Sequence, residues 1–97
     1  MRAFLIAATL LVAAPAFAQS AASTAVLTDA AKAPAGRTII DGASWSCDGA
    51  TCTANGGANQ TAARACRRVV ARFGNVSAFT YKGTALSAEQ LATCNAA

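Results

Sequence analysis

Four cysteines and a run of arginines are the residues of this chain whose types and spacing could do chemistry. Cys47, Cys52, Cys66 and Cys94 could make disulfides, an exchange centre or a metal site. An exchange centre of the thioredoxin kind wants Cys-x-x-Cys at a helix start, where the helix dipole lowers the thiol pKa. The close pair here is Cys-x4-Cys in a candidate hairpin, so that chemistry is not expected. Zinc wants two close ligand pairs. Cys66 and Cys94 lie far apart in sequence and the chain has no histidine to substitute, so no metal and no cofactor are expected. The cysteines are read as two structural disulfides. The spacing does not fix the connectivity: Cys47–Cys52 with Cys66–Cys94 is one pattern, and Cys47–Cys66 with Cys52–Cys94 is also possible. The first pattern is preferred because both members of the local pair can face one side of a hairpin, although directly opposed strand positions strain a disulfide.

Arg64, Arg68 and Arg72 recur at helical spacing and Arg67 flanks them, which gathers four guanidinium groups on one helix side. The plain reading is a solvated face that keeps a small protein soluble. The sharper reading is an anion-binding surface, because the Arg fork holds phosphate or carboxylate through two bonds. Its ligands would be phosphate-bearing envelope components, anionic lipid headgroups or an acidic partner protein. Nucleic acid is not expected as a partner, since no aromatic residue interleaves with the arginines to stack bases.

Catalysis finds few tools. Without histidine a Ser or Cys nucleophile lacks its commonest base. The four carboxylates are Asp29, Asp41, Asp48 and Glu89. Two belong to Asp-Gly turns, one lies in an Ala-rich stretch and one opens a helix, where a negative charge suits the dipole. Asn55-Gly-Gly precedes no Lys-Ser/Thr and is read as a connection rather than a phosphate loop. A non-enzymatic protein is expected.

The amino terminus sets the compartment. Met1-Arg2, an apolar run from Ala3 to Val12 and Ala16-Phe17-Ala18 make a secretory signal over residues 1–18, cleaved before Gln19. The apolar stretch is broken by Pro15 and falls short of the roughly 20 residues of a spanning helix, so no transmembrane segment is expected after cleavage. A periplasmic or secreted location is oxidising, which suits disulfides. Residues 19–36 read as a flexible Ala/Ser/Thr-rich leader and residues 37–97 as the folded mini-domain. Of the 97 residues, 55% are hydrophobic, but 28 are alanine and the net charge is only +4. A core this thin rarely supplies more than about 3–5 kcal/mol. In the chain-entropy picture a Cys66–Cys94 bond adds roughly 3.5 kcal/mol and a Cys47–Cys52 bond roughly 2.

Arg37-Thr-Ile-Ile40 and Ala43-Ser-Trp-Ser-Cys47 suit strands, and Asp41-Gly42 and Asp48-Gly49 supply hairpin turns, the second the more clearly. Trp45, Cys47 and Cys52 then share one sheet face. Thr61 to Phe73 carries Cys66, Val69, Val70 and Phe73 at helical spacing, with Asn59 or Thr61 as cap and Gly74-Asn75 as stop. Val76 to Tyr81 reads as a strand. Ser87-Ala-Glu-Gln90 is a capping box that opens a last short helix with Leu91 and Cys94 on its apolar side. The expected fold is α+β: a small antiparallel hairpin or meander packed with two helices, in the order β-β(-β)-α-β-α. Trp45, Phe79 and Tyr81 are placed in its core.

The Ala-x-Ala signal, Trp45-Ser-Cys47-Asp-Gly49-x-x-Cys52-Thr-Ala54, the helical Cys66, the Val76-to-Phe79 strand, and Leu86 to Leu91 followed by Cys94-Asn95 carry a resemblance. Over about residues 37 to 96 the chain resembles a family of small secreted alphaproteobacterial proteins of unknown function. The resemblance implies a bacterial envelope protein with two structural disulfides and transfers no catalytic or binding residue. The expected function is therefore that of a small secreted structural or binding module, with the Arg face as an alternative anion-binding surface.

Overall fold

The computed structural model describes residues 23–96. The expected signal over 1–18 lies outside them. Six strands form one antiparallel sheet: β1 (Ser23–Leu27), β2 (Thr38–Ile40), β3 (Ala43–Asp48), β4 (Thr51–Gly56), β5 (Val76–Tyr81) and β6 (Thr84–Ala85), in the order β2-β3-β4-β1-β5-β6. Two helices, α1 (Ala62–Phe73) and α2 (Ala88–Ala96), cover one face. The α+β class holds, with an antiparallel sheet and two helices.

Three two-residue turns build the hairpins. Asp41 and Gly42 both take positive φ (49° and 82°), as do Lys82 and Gly83 (50° and 88°), the type I′ pattern that matches strand twist. In the β3–β4 turn only Gly49 does so (φ 65°), so Asp48 is the last strand residue rather than a turn centre. The Asp41-Gly42 turn thus fits the hairpin rule more fully than Asp48-Gly49.

The largest departure from expectation is β1. Residues 19–36 were expected to be a flexible leader, yet Ser23–Leu27 is a central strand, hydrogen-bonded to β4 on one side and β5 on the other. Asp29 then caps a short 3-10 turn over Ala30–Lys32 by accepting from the Ala31 N–H. The folded unit therefore begins well before Arg37. The reason is positional: a central strand is held by two ladders, so it needs neither bulk nor strong intrinsic propensity. Its inward residues Ser23, Ala25 and Leu27 are small or medium and buried, while the stacked rings of the core, Trp45 and Phe79, come from β3 and β5. The buried Ser23 hydroxyl accepts from the Lys82 N–H at 3.1 Å. Since β4 and β5 both run antiparallel to β1, β4-α1-β5 is a β-α-β unit split by β1.

Alternation sets the core. Trp45 lies opposite Ala54 and Cys47 opposite Cys52, and Cys52 and Phe79 both pair with Ala25, all on the helix-covered face. Trp45 meets Phe73 of α1 edge-on, with ring centroids 6.4 Å apart, and stacks at 6.1 Å with Phe79. On α1 the buried stripe is Ala62, Ala65, Cys66, Val69 and Phe73; Val70, expected in it, is only half-buried, and two alanines take the remaining places. Thr61 caps this helix by accepting from the Arg64 N–H at 3.1 Å. The opposite sheet face is open and carries hydroxyls, with Ser46, Thr53, Thr24 and Thr80 in one row across four strands. Antiparallel sheets commonly leave such a face to water.

Candidate functional site

The cysteines pair as Cys47–Cys52 and Cys66–Cys94, the preferred connectivity. Cys66–Cys94 joins α1 to α2 inside the core, with both residues almost fully buried. Cys47–Cys52 bridges directly opposed positions of β3 and β4, with Cα atoms 3.9 Å apart. Cys52 is buried, whereas Cys47 is half-buried at the rim of a depression shared with Ser46, Asp48, Thr51 and Thr53.

α2 has little else to dock it. Cys94 is its one buried residue, and Leu91 packs only partly against the core. The next residue makes the attachment good: the Asn95 side chain accepts from the Val76 N–H at 2.9 Å and donates to the Val76 carbonyl at 2.8 Å. One amide thus stands in for a strand neighbour at the start of β5. The helix start is the expected capping box, with Gln90 and Ser87 bonded reciprocally.

The four arginines of α1 are all exposed, but they are not equivalent. Arg68 forks onto Asp41, Nε to Oδ2 and the terminal nitrogen to Oδ1, each at 3.0 Å. Gln60 donates to the same carboxylate at 3.3 Å. The Arg68 guanidinium, helped by Gln60, holds the Asp41 carboxyl below its usual range, and Asp41 in turn raises Arg68. Arg68 is therefore already engaged by an anion of its own chain, and the expected set of four free guanidinium groups is reduced to Arg64, Arg67 and Arg72. Among the described residues Arg68–Asp41 is the one ion pair.

Around the start of α1, Asp41, Gln60, Thr61, Arg64, Arg67 and Arg68 line an open depression of about 640 Å³. Arg67 also faces a second hollow against Glu89, Gln90 and Thr93 of α2. Two residues here carried no sequence signal as site members. Asp41 reads from sequence as a turn residue and Gln60 has no signal of its own; their meeting with Arg68 depends on α1 lying across the β2–β3 turn, with Asp41 and Arg68 27 positions apart. The loop is fixed there by Tyr81, whose hydroxyl donates to the Ala58 carbonyl at 2.6 Å. Gly57 (φ 110°) is required beside it, since a Cβ at that position would collide with the Tyr81 hydroxyl.

No group of three or more His, Cys, Asp or Glu converges among the described residues, and no helix there is long and apolar enough to cross a membrane. Searches of curated proteins and of solved structures return no match. A family model does match, over residues 7–96, and so takes in β1 as well as the cysteine-bearing region. By that span the chain belongs to a family of unknown function, DUF8200.

Proposed function

We propose that this protein is an exported, non-enzymatic small module of the bacterial envelope, periplasmic or secreted, that acts by presenting surfaces. The observation that carries this reading is the closure of all four cysteines into two disulfides, one of them the main tie between α1 and α2. Such bonds persist outside the reducing cytoplasm. The signal-like residues 1–18 and the resemblance to small secreted alphaproteobacterial proteins support the same location. Three of the four carboxylates also support a non-catalytic role: Asp29 caps a turn, Asp41 is tied to Arg68, and Glu89 lies in the first turn of α2. Mass spectrometry of the protein recovered from a bacterial host tests the reading. The expected product begins at Gln19 and resists alkylation until reduced. An intact Met1 end with four alkylatable thiols would overturn it.

A second reading is favoured by one specific observation: Arg64, Arg67 and Arg72 have no carboxylate partner among the described residues. We propose that this face binds anions, whether phosphate-bearing envelope components or an acidic protein. Retention on an anionic surface should then fall steeply between low and moderate salt. No retention at any salt would remove the reading.

A further inference from the structure

β2 is one edge of the sheet, and its outer side meets no other strand of the described residues. Its two-residue turn makes Ile40 and Ala43 the closing, hydrogen-bonded pair. Antiparallel pairing alternates, so Ile39, opposite Ser44, turns its N–H and C=O away from β3. Those are the groups that an incoming strand uses. Ile39 is also the one large hydrophobic side chain left exposed among the described residues, at 59%. Beside it a groove of about 250 Å³ runs between the edge and α1, lined by Ile39, Ile40, Asp41, Arg68, Ala71 and Arg72.

We propose that this edge and groove bind an extended acidic segment of a partner protein, which adds to the sheet next to β2. The proposal rests on the anion-binding reading above and names its partner class. Charge selects the occupant. Arg72 in the groove and Arg37 just before β2 lack carboxylate partners, while Arg68 is offset by Asp41. A second copy of this chain, paired antiparallel about Ile39, would set Arg37 opposite its Asp41, a carboxylate already engaged by Arg68, and so brings no free acidic group to the edge. Residues 1–22 contain neither Asp nor Glu, so the chain's own amino-terminal segment lacks the complementary charge. Side chains of an added strand alternate between the two sheet faces. Acidic residues on the α1 side meet Arg72, and apolar residues on the open side lie beside Ile39. Main-chain bonds to the edge supply affinity and the alternating side chains supply selectivity.

Titration calorimetry of the disulfide-bonded chain tests this with a short capped peptide of alternating Val and Glu. Controls are the same peptide with Lys for Glu, and versions N-methylated at every second amide in both phases. The Glu peptide binds and protects the Ile39 amide from hydrogen exchange; the Lys peptide does not bind. One methylation phase weakens binding about tenfold, the cost of losing edge hydrogen bonds. Arg72→Glu weakens it by a similar factor. Ile39→Pro removes an N–H that the sheet does not use and also abolishes the added strand, with circular dichroism and both disulfides unchanged. Binding that ignores methylation and Ile39→Pro but is lost in Arg64→Glu/Arg67→Glu overturns the edge site and leaves the anion-binding reading standing. Salt-sensitive binding to vesicles containing an anionic lipid, without peptide binding, does the same and assigns the face to a membrane surface. Failure of both probes at low salt overturns both readings.

Discussion

The two disulfides of this domain cross-link regions that differ in how much they need a cross-link. Cys47–Cys52 spans a hairpin whose Gly49 turn and paired register already place its strands together. Cys66–Cys94 ties down α2, a helix that buries only Cys94 and has few other anchors. The short bridge closes a small loop and removes little freedom from the unfolded chain; the long one removes much more. A staple thus contributes most where the surrounding sequence contributes least.

The largest expected effect comes from Cys66→Ala/Cys94→Ala. Denaturant unfolding should show a loss of about 3.5 kcal/mol, and hydrogen exchange should show α2 deprotected while the sheet amides stay slow. A loss no larger than that of the other bridge would break the contrast. Cys47→Ala/Cys52→Ala should cost at most about 2 kcal/mol and leave the helices protected. Stepwise reduction adds a kinetic form of the same test: the half-buried Cys47 sulfur should be attacked first by a soluble dithiol, because access governs exchange. Mass mapping that finds Cys66–Cys94 opened first would reverse it.

Asn95→Ala sharpens the comparison, since it removes the other anchor of α2. Two bonds to a part-buried backbone are lost, for about 1–2 kcal/mol. In the Cys66→Ala/Cys94→Ala background the same change should cost much less, because α2 is then undocked. Equal costs in both backgrounds would show that Asn95 acts independently of the bridge.

The smallest effect is at Asp41, on the β2–β3 turn, whose tie is an exposed ion pair rather than a covalent bond. Its carboxyl is held below the usual range by Arg68 and Gln60. A depressed carboxyl stabilises the fold above its unfolded pKa, near 4, and that contribution fades as the pH falls through the lower folded value. Asp41→Asn should lower the melting temperature slightly at pH 7 and flatten its decline as the pH falls below about 4. A decline as steep as that of the parent would assign the acid sensitivity elsewhere.

What could be read in the sequence was what is encoded locally. The α1 periodicity, its Thr61 cap, the Ser87/Gln90 box, the Asp41-Gly42 turn and the Cys47/Cys52 hairpin each depend on residues within one or two turns of each other. β1 could not be read in this way: Ser-Thr-Ala-Val-Leu resembles the alanine-rich stretch around it, and its strand identity comes from β4 and β5. β6, two residues long, is defined only by the Lys82-Gly83 turn that folds it back. The candidate site was half legible. Helical spacing gathered the arginines, but the engagement of Arg68 by Asp41 required the tertiary crossing of α1 over a turn. The exposed Ile39 likewise becomes meaningful only once β2 is known to be the edge.

The position of β1 also sets an order of events during synthesis. Thr24 leaves the ribosome early, yet its neighbours are Thr53 and Thr80. Until the last of these is made, the nascent chain holds a strand without its second mate, and β4 and β5 cannot be joined across it. Pairings so distant in sequence fold slowly. A translation product truncated before Val76 would leave β1 with a bare flank, the kind of surface that chaperones cover and aggregates extend.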